Sequence, residues 1–209
     1  MDNRIMAVDW SFISKMEGGS QTKGYIPLKK GKVMGKSGLT IGTGWDVGQM
    51  TAKELKNADI PESVKIAVEP FVGLRGQAAL DKLNKLGAPR ISIEDASIVD
   101  KYTHSKALSE ISKNYETSSG KSFDNLTSAQ QTVIASVGFQ YGSNLKKATP
   151  GFWKQVTSGD WESAHKNLQN FGDIYDYRRG QEARILGSDI ANQEVAYMDK
   201  WIREDNPFA

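Results

Sequence analysis

The spacing of hydrophobic residues along this chain of 209 residues changes near position 50. Before that point, short apolar runs alternate with polar residues and glycines, which is typical of strands and tight turns. After it, apolar residues recur every three or four positions, as on one face of a helix. The pattern predicts an α+β protein that is mainly helical: one helix, a small three-stranded sheet within residues 21–48, and then a series of helices.

Capping signals and glycines divide the helical part. Capping boxes predict helix starts at Thr51 and Thr127, and the helix after Thr127 is apolar on all sides, which predicts a buried central helix. Near the end of the chain, Gly187 is expected to separate two helices at 176–186 and 189–204. Three tryptophans at helical spacing are expected in the core: Trp153, Trp161 and Trp201.

The clearest alternation, at residues 39–48, is predicted to be the third strand, after short strands at 24–28 and 32–34. Thr40 and Asp46 would then share one face with two glycines between them, while the other face is mostly apolar. Glycine in a strand often marks a place where a ligand or another backbone comes close. The alternative is a tight hairpin, in which the glycines serve the turn alone.

Glu17 ends the first apolar-periodic run and is followed directly by Gly18 and Gly19, which predicts a helix end. The negative end of the helix dipole disfavours an ionised carboxylate there, and so does burial. A carboxyl group that stays neutral near neutral pH is what a general acid requires. The alternative is a solvated glutamate at a fraying helix end. The apolar-periodic run that ends at Glu17 consists of Ile5, Met6, Trp10, Ile13 and Met16.

These residues carry a family resemblance. The Glu-Gly helix end at Glu17, the glycine-rich hairpin and the run Thr-Ile-Gly-Thr-Gly from Thr40 resemble the phage-type lysozymes. Asp46, six residues after Thr40, resembles most the lysozyme-like toxin domain of pesticin and its relatives. Two later blocks, residues 136–142 and 177–183, are similar to the central and late helices of these enzymes.

The resemblance implies one lysozyme-like catalytic domain over residues 1–209. Its small lobe would span about 18–70, and its helical lobe about 71–209 with the first helix packed on it. A hairpin of this size buries little by itself and must lean on helices, which predicts a cleft between the lobes.

By the same resemblance, Glu17 is the general acid, Asp46 the second carboxylate and Thr40 the hydroxyl that positions water. Residues 20–37 contain no acidic side chain, so the second carboxylate has to follow Thr40. The implied reaction is hydrolysis of the β-1,4 bond between N-acetylmuramic acid and N-acetylglucosamine in peptidoglycan. A hydroxyl beside a carboxylate suits the handling of a water molecule, which favours an inverting mechanism.

Four further residues are expected at the substrate, three of them with an alternative. Gln140 and Tyr141 would line the cleft, or Gln140 would make a helix-end hydrogen bond. Tyr25 would stack on a sugar, or pack within the hairpin. Arg178, Arg179 and Glu182 would hold saccharide or peptide stem, or form a surface ion-pair cluster, an alternative that is favoured for Arg178 over Arg179.

Composition narrows the class of partner. The net charge of +2 is too small to indicate nucleic acid, although five lysines between positions 23 and 36 form a local basic patch. That patch would either draw the protein to an anionic wall polymer or protect the hairpin from edge pairing. The absence of cysteine excludes disulfides and thiolate metal sites. With two separated histidines, the sequence predicts no metal and no cofactor.

The chain contains no apolar run long enough for a membrane span and no signal-peptide pattern at its N-terminus. We therefore expect synthesis in the cytoplasm and action in the periplasm or on the cell wall of a target bacterium, with delivery by another system. The expected partner is peptidoglycan, with an immunity or inhibitor protein as a second partner of an antibacterial toxin. The expected form is a monomer.

Two other functions remain open at this stage. A lytic transglycosylase would act on the same bond but needs only one acid/base glutamate and leaves an anhydro sugar end. A non-catalytic module would hold peptidoglycan and keep the enzyme fold as a scaffold. The sequence also leaves open whether an enzyme of this kind is a phage endolysin, a bacteriocin or a secretion-system effector.

Overall fold

The computed structural model describes residues 8–201. The first part of the chain forms α1 (Trp10–Met16), β1 (Gln21–Tyr25), β2 (Leu28–Lys29), β3 (Lys32–Val33), β4 (Thr40–Gly42) and β5 (Trp45–Asp46). The helices that follow are α2 (Ala52–Asn57), α3 (Glu62–Val68), α4 (Gly76–Leu86), α5 (Ile93–Ser119), α6 (Ser128–Tyr141), α7 (Leu145–Ala148), α8 (Pro150–Ser158), α9 (Trp161–Gln169) and α10 (Asp176–Lys200). Short 3-10 turns follow β5, α3 and α5.

The prediction of a mainly helical α+β fold with a small three-stranded sheet is confirmed. Ile5 and Met6 of the first apolar run, and positions 202–204 of the last predicted helix, lie outside the described residues. None of the helices within residues 8–201 is long and apolar enough to cross a lipid bilayer.

The strand predicted at 39–48 is wrong, because the chain reverses in the middle of it. Thr40–Gly42 and Trp45–Asp46 are separate antiparallel strands, with Ile41 opposite Trp45. Gly42 and Gly44 have φ of +62° and +79°. Residues other than glycine rarely adopt such values, which here accompany the reversal of the chain. The hairpin alternative is therefore the correct one.

The sheet also has different members from those predicted. Its order is β1-β4-β5, whereas β2 and β3 pair only with each other in a separate two-stranded ribbon. Both sheets lie within residues 21–46, so the position of the β region is as expected.

The chain divides into two compact units, Met1–Ile13 with Ala107–Ala209, and Ser14–Lys106. The sheet-containing unit extends well beyond the boundary expected near residue 70, because helices α2 to α4 and the start of α5 share the core of the sheet. The core residues of this unit include Leu39, Ile41, Trp45, Val47, Leu55, Val64, Val68, Phe71, Ala79 and Val99.

The other unit, Met1–Ile13 with Ala107–Ala209, is called the helical unit below and is built around α6, which is buried from Gln130 to Gly138. The buried central helix predicted after Thr127 is confirmed. Gly138 allows α5 to approach closely, since a Cβ at this position would lie 2.5 Å from Ile111 Cδ1. Other core residues of this unit are Ile13, Leu108, Tyr115, Phe123, Val133, Ile134, Leu145, Phe152, Val156, Leu168 and Leu186.

Two expectations for the C-terminal helices are wrong. Helix α10 runs without a break through Gly187, where a Cβ would lie 3.0 Å from His165 Nε2, so this glycine serves close packing rather than helix termination. Trp201 is 40% exposed and does not belong to the core. Trp153 is buried as predicted, and Trp161 packs at the edge of the core.

Candidate active site

Glu17 is the first residue after α1, and the chain turns sharply behind it. Gly18 and Gly19 both have φ of +83°, and the Gly19 N–H donates to the Ser14 carbonyl at 2.8 Å. This left-handed pair with its backward hydrogen bond is a typical glycine helix end. The predicted end of the helix is confirmed, and Glu17 is exposed at the C-terminal end of α1.

A row of three polar side chains crosses the sheet of the same unit. Tyr25 in β1 is the register partner of Thr40 in β4, and Thr40 is the register partner of Asp46 in β5. Side chains directly opposite each other on antiparallel strands lie on the same face, about 4.5–5.5 Å apart at Cβ. The hairpin therefore brings Thr40 and Asp46 side by side, closer than the single strand of the sequence prediction would.

Hydrogen bonds hold the Asp46 carboxylate in one orientation. Its Oδ1 accepts the Gly48 N–H at 2.9 Å, and both of its oxygens lie 3.1 Å from the Gly38 nitrogen. The Gln49 side-chain amide donates to Oδ2 at 3.1 Å. The Thr40 hydroxyl, which is buried, donates to the Gly38 carbonyl at 3.4 Å. Thr40 and Asp46 are thus both anchored on the Gly38 backbone.

Gly38 and Gly48 make this anchoring sterically feasible. A Cβ on Gly38 would lie 2.5 Å from the Gly48 Cα, and a Cβ on Gly48 would lie 2.3 Å from the Leu74 carbonyl oxygen. Backbone atoms cannot yield at such distances, so both positions require glycine. The sequence analysis missed this pair, although isolated glycines beside a strand pattern are a recognised sign of close backbone approach.

The pKa of Tyr25 depends on both predicted acids. The pKa of its phenol is raised, first by burial and then by the negative charges of Glu17 and Asp46. Charge interactions of this kind fade with distance and are screened beyond about 10 Å at moderate salt. The sheet-containing unit contains all four of Glu17, Tyr25, Thr40 and Asp46.

Asp100, on α5, fixes the turn of the β4–β5 hairpin. Its carboxylate accepts the Thr43 N–H at 2.6 Å and the Thr43 hydroxyl at 3.0 Å. The Thr43 hydroxyl also lies 3.4 Å from the Ser14 hydroxyl, in the last turns of the helix that Glu17 follows. Sequence analysis missed Asp100, because nothing in the local pattern marks a contact between residues 57 positions apart.

In the helical unit, Arg178 and Glu182 form an ion pair, but the pair is buried. The expected surface location is therefore wrong. Glu182 is fully buried, and Arg178 Nε donates to its Oε1 at 3.2 Å. The Ser136 hydroxyl donates to the same oxygen at 2.5 Å, and Arg178 Nη2 donates to the Ser136 carbonyl at 2.8 Å. A buried carboxylate requires such partners to offset its lost hydration.

Gln140, Tyr141 and Arg179 belong to the same helical unit. The buried Arg179 guanidinium donates to Glu182, to the Gln140 side-chain oxygen and, at 2.9 Å, to Asp173 Oδ2. The Tyr141 hydroxyl donates to Asp173 at 2.7 Å, and the pKa of Tyr141 is raised by burial and by this hydrogen bond. These contacts occupy Gln140 and Arg179 within the unit. Their role at a substrate stays a prediction, as does that of Tyr25 and Tyr141.

Within residues 8–201, no group of three or more histidine, aspartate and glutamate side chains is arranged to hold a metal ion.

A helix that ends in a glutamate, a small glycine-turned sheet carrying Thr40 and Asp46, and a mainly helical remainder define a lysozyme-like protein. The family model described as Pesticin: Bacterial toxin homologue of phage lysozyme, C-term, matches residues 7–162. The chain belongs to this family, and its general class is that of a lysozyme-type, peptidoglycan-degrading toxin. Comparison with curated proteins returned no match. The late block at 177–183, with Arg179, lies beyond the matched range.

Proposed function

We propose that this protein is a muramidase, which hydrolyses the β-1,4 bond between N-acetylmuramic acid and N-acetylglucosamine. The observation that carries the proposal is the row of Tyr25, Thr40 and Asp46 across the sheet, in the same compact unit as the helix end at Glu17. Glycoside hydrolysis requires two carboxyl groups that flank one bond, and Glu17 and Asp46 are two carboxyl groups of this unit.

In the proposed mechanism, Glu17 protonates the glycosidic oxygen of the leaving sugar. Asp46 accepts a proton from a water molecule, and Thr40 holds that water through its hydroxyl group. The water oxygen attacks the anomeric carbon from the face opposite the leaving group, which inverts the configuration. This geometry requires a separation of roughly 6.5–9.5 Å between the two carboxyl groups.

The hydrogen bonds of Asp46 define how water has to reach it. A carboxylate offers about four lone-pair sites, and Gly38, Gly48 and Gln49 already engage both oxygens. Among these donors only the Gln49 amide is an exposed side chain, so we propose that the attacking water displaces it from Oδ2.

The same hydrogen bonds favour one competing function. If Asp46 serves only as the cap of the turn that follows β5, Glu17 acts alone and the protein is a lytic transglycosylase. The products separate the two functions. Hydrolysis leaves a muramic acid with a new reducing end, whereas transglycosylation leaves a 1,6-anhydro end.

The test is mass spectrometry of muropeptides released from purified sacculi by the wild type and by Glu17→Gln. We expect reducing-end products from the wild type and none from the variant. Anhydro products would replace the muramidase with the transglycosylase, and sacculi that bind the protein without being cleaved would indicate a binding module. NMR of the first-formed anomer tests inversion.

We further propose that the protein acts in the periplasm or on the wall of a target bacterium after delivery by another system. Cells that express it with an added export signal should lyse, and cells that express it without one should grow. The exported Glu17→Gln variant is the matched control. An immunity protein that blocks the activity would protect the exporting cells when expressed in the same compartment.

A further inference from the structure

The β2–β3 ribbon, residues 28–33, has an unusual turn, and we refer to it as the lysine ribbon. Lys29 lies opposite Lys32, and the two-residue loop Lys30-Gly31 joins them. Lys30 and Gly31 have φ of +51° and +75°. Positive values at both central residues are those of a type I′ turn, for which Asn, Asp and Gly are the preferred residues at the first position.

Two features of the lysine ribbon oppose its folding. Within residues 8–201, Lys30 is the only residue other than glycine with a positive φ, a conformation that brings Cβ against the backbone. Lys29 and Lys32 are a directly opposed pair of like charges, which also disfavours the pairing of the strands. Each unfavourable choice places positive charge at the same tip. Strained backbone positions that persist in a fold are an indication of function.

The positive charge of this region is not neutralised locally. Lys29, Lys30 and Lys32 are exposed, as are Lys23 and Lys36 on either side. In the described part of the chain none of these five forms an ion pair, and no acidic residue occurs between positions 20 and 45. Lysines that protect a strand edge explain Lys29 or Lys32, but Lys30 lies in the turn, where there is no edge to protect.

We propose that the tip of the lysine ribbon binds the oxyanions of a cell-wall polymer and so holds the protein on its substrate. Lys29, Lys30 and Lys32 line a shallow depression of about 520 Å³ together with the exposed Met34. Clustered ammonium groups on such a surface attract closely spaced carboxylates or phosphodiesters and raise the rate of encounter. The proposal rests on the proposed action on peptidoglycan, because that action places a wall polymer beside the ribbon.

The key experiment is the substitution Lys30→Asn. Asparagine suits the type I′ turn, so this variant should melt roughly 2–5 °C higher than the wild type. It should also bind sacculi about five-fold more weakly in co-sedimentation at low salt, as expected for one lysine near an anionic surface. Lys85→Gln, which removes one exposed charge from α4 in the same unit, is the matched control and should change neither quantity. Opposite signs for stability and binding separate a binding lysine from a structural one.

The triple variant Lys29→Gln, Lys30→Asn, Lys32→Gln should lose binding by more than ten-fold and remain monomeric in gel filtration. Sacculi with amidated carboxylates and sacculi stripped of phosphodiester polymers identify which oxyanion is bound. Binding of Lys30→Asn equal to that of the wild type would overturn the proposal. So would a charge effect seen only with anionic lipid vesicles, or self-association of the triple variant without loss of binding.

The outcome for the ribbon is independent of the outcome for the enzyme. Failure of the proposed function appears as wild-type protein that releases no new sugar ends from sacculi. Failure of the ribbon proposal appears as unchanged binding of the lysine variants, whether or not the wild type cleaves.

Discussion

The polar side chains of Glu17, Thr40 and Asp46 are constrained to different degrees by their surroundings. Glu17 is exposed behind a glycine helix end, whereas Asp46 is held by two backbone N–H groups and a side-chain amide. Thr40 is buried between β1 and β5, so its hydroxyl has little freedom to move. Substitutions at these positions are therefore expected to separate chemistry from folding to different degrees.

Glu17→Gln should abolish turnover and leave the fold intact. The two side chains are nearly isosteric and the position is exposed, so the melting temperature should stay close to that of the wild type, while the loss of a general acid costs about 10²–10⁴ in rate. The measurement is muropeptide release beside thermal melting, with Glu62→Gln as the exposed control. Unchanged activity in a folded Glu17→Gln protein would remove Glu17 from the mechanism.

Thr40→Ala should lower the rate by up to about 10², because the attacking water loses one of its two holders. Thr40→Ser keeps a hydroxyl at the same backbone position and should recover most of the rate. The two variants are compared by kcat at saturating substrate. Their melting temperatures show how far the loss of the buried Thr40 methyl group destabilises the fold. Equal activity of both variants and the wild type would leave the hydroxyl with a structural role only.

His104 predicts a pH dependence of stability. Its pKa is lowered from 6.5 to about 4, mainly by burial, with the Asp100 charge opposing that shift. The folded state therefore disfavours the protonated form: the stability is fully present above pH 6.5 and declines as the pH falls toward 4. The total loss is up to about 3 kcal/mol. Urea unfolding between pH 4 and pH 7 measures this slope, and His104→Gln should flatten it.

At the scale of elements, the β4–β5 hairpin depends on a partner far away in sequence. Asp100 on α5 accepts both polar hydrogens of Thr43, and Thr43 lies next to Ser14 of α1. The hairpin turn is thus held by α5 in addition to its own paired strands, which are only two or three residues long.

Thr43→Val should destabilise the protein by about 1.5–3 kcal/mol, because it leaves one oxygen of the Asp100 carboxylate without its hydroxyl donor. Asp100→Ala should cost about 3 kcal/mol, since both of its hydrogen bonds to the turn are lost. The double variant should cost at least 0.5 kcal/mol less than the sum of the two, as for residues in direct contact. Urea unfolding provides all three values. The controls are Thr43→Ser and Asp95→Asn, the latter on the same helix as Asp100. Additive losses would indicate that the contact does not hold the turn.

At the scale of the whole chain, the buried apolar residues form two separate cores, one in each compact unit. The resemblance implies a lobe boundary near residue 70, whereas the two compact units divide at Ser14 and again within α5. Short helices α2 to α4 have too little apolar surface of their own and bury it against the sheet. The extent of the sheet-containing unit is therefore decided by which core those helices join.

Local signals in the sequence determined the mainly helical composition, the helix end at Glu17, the capping boxes and the buried α6. These features depend on periodicity and on residues within one turn of each other, so a single chain segment contains all the information. The family resemblance, confirmed for residues 7–162, rests on the same local blocks. Candidate residues Glu17, Thr40 and Asp46 were found in this way.

Only the tertiary structure decided that residues 39–48 form a hairpin, that α10 continues through Gly187, and that Asp100 holds the turn. The local pattern did not separate a strand from a hairpin at residues 39–48 or a helix end from a continuous helix at Gly187, and it gave no sign of Asp100. Contacts from distant segments decided all three. Glycine illustrates the reason: Gly42 permits a reversal and Gly187 permits a continuous helix. Because glycine is compatible with both, the choice depends on what packs against it, and the order of residues along the chain does not contain that information.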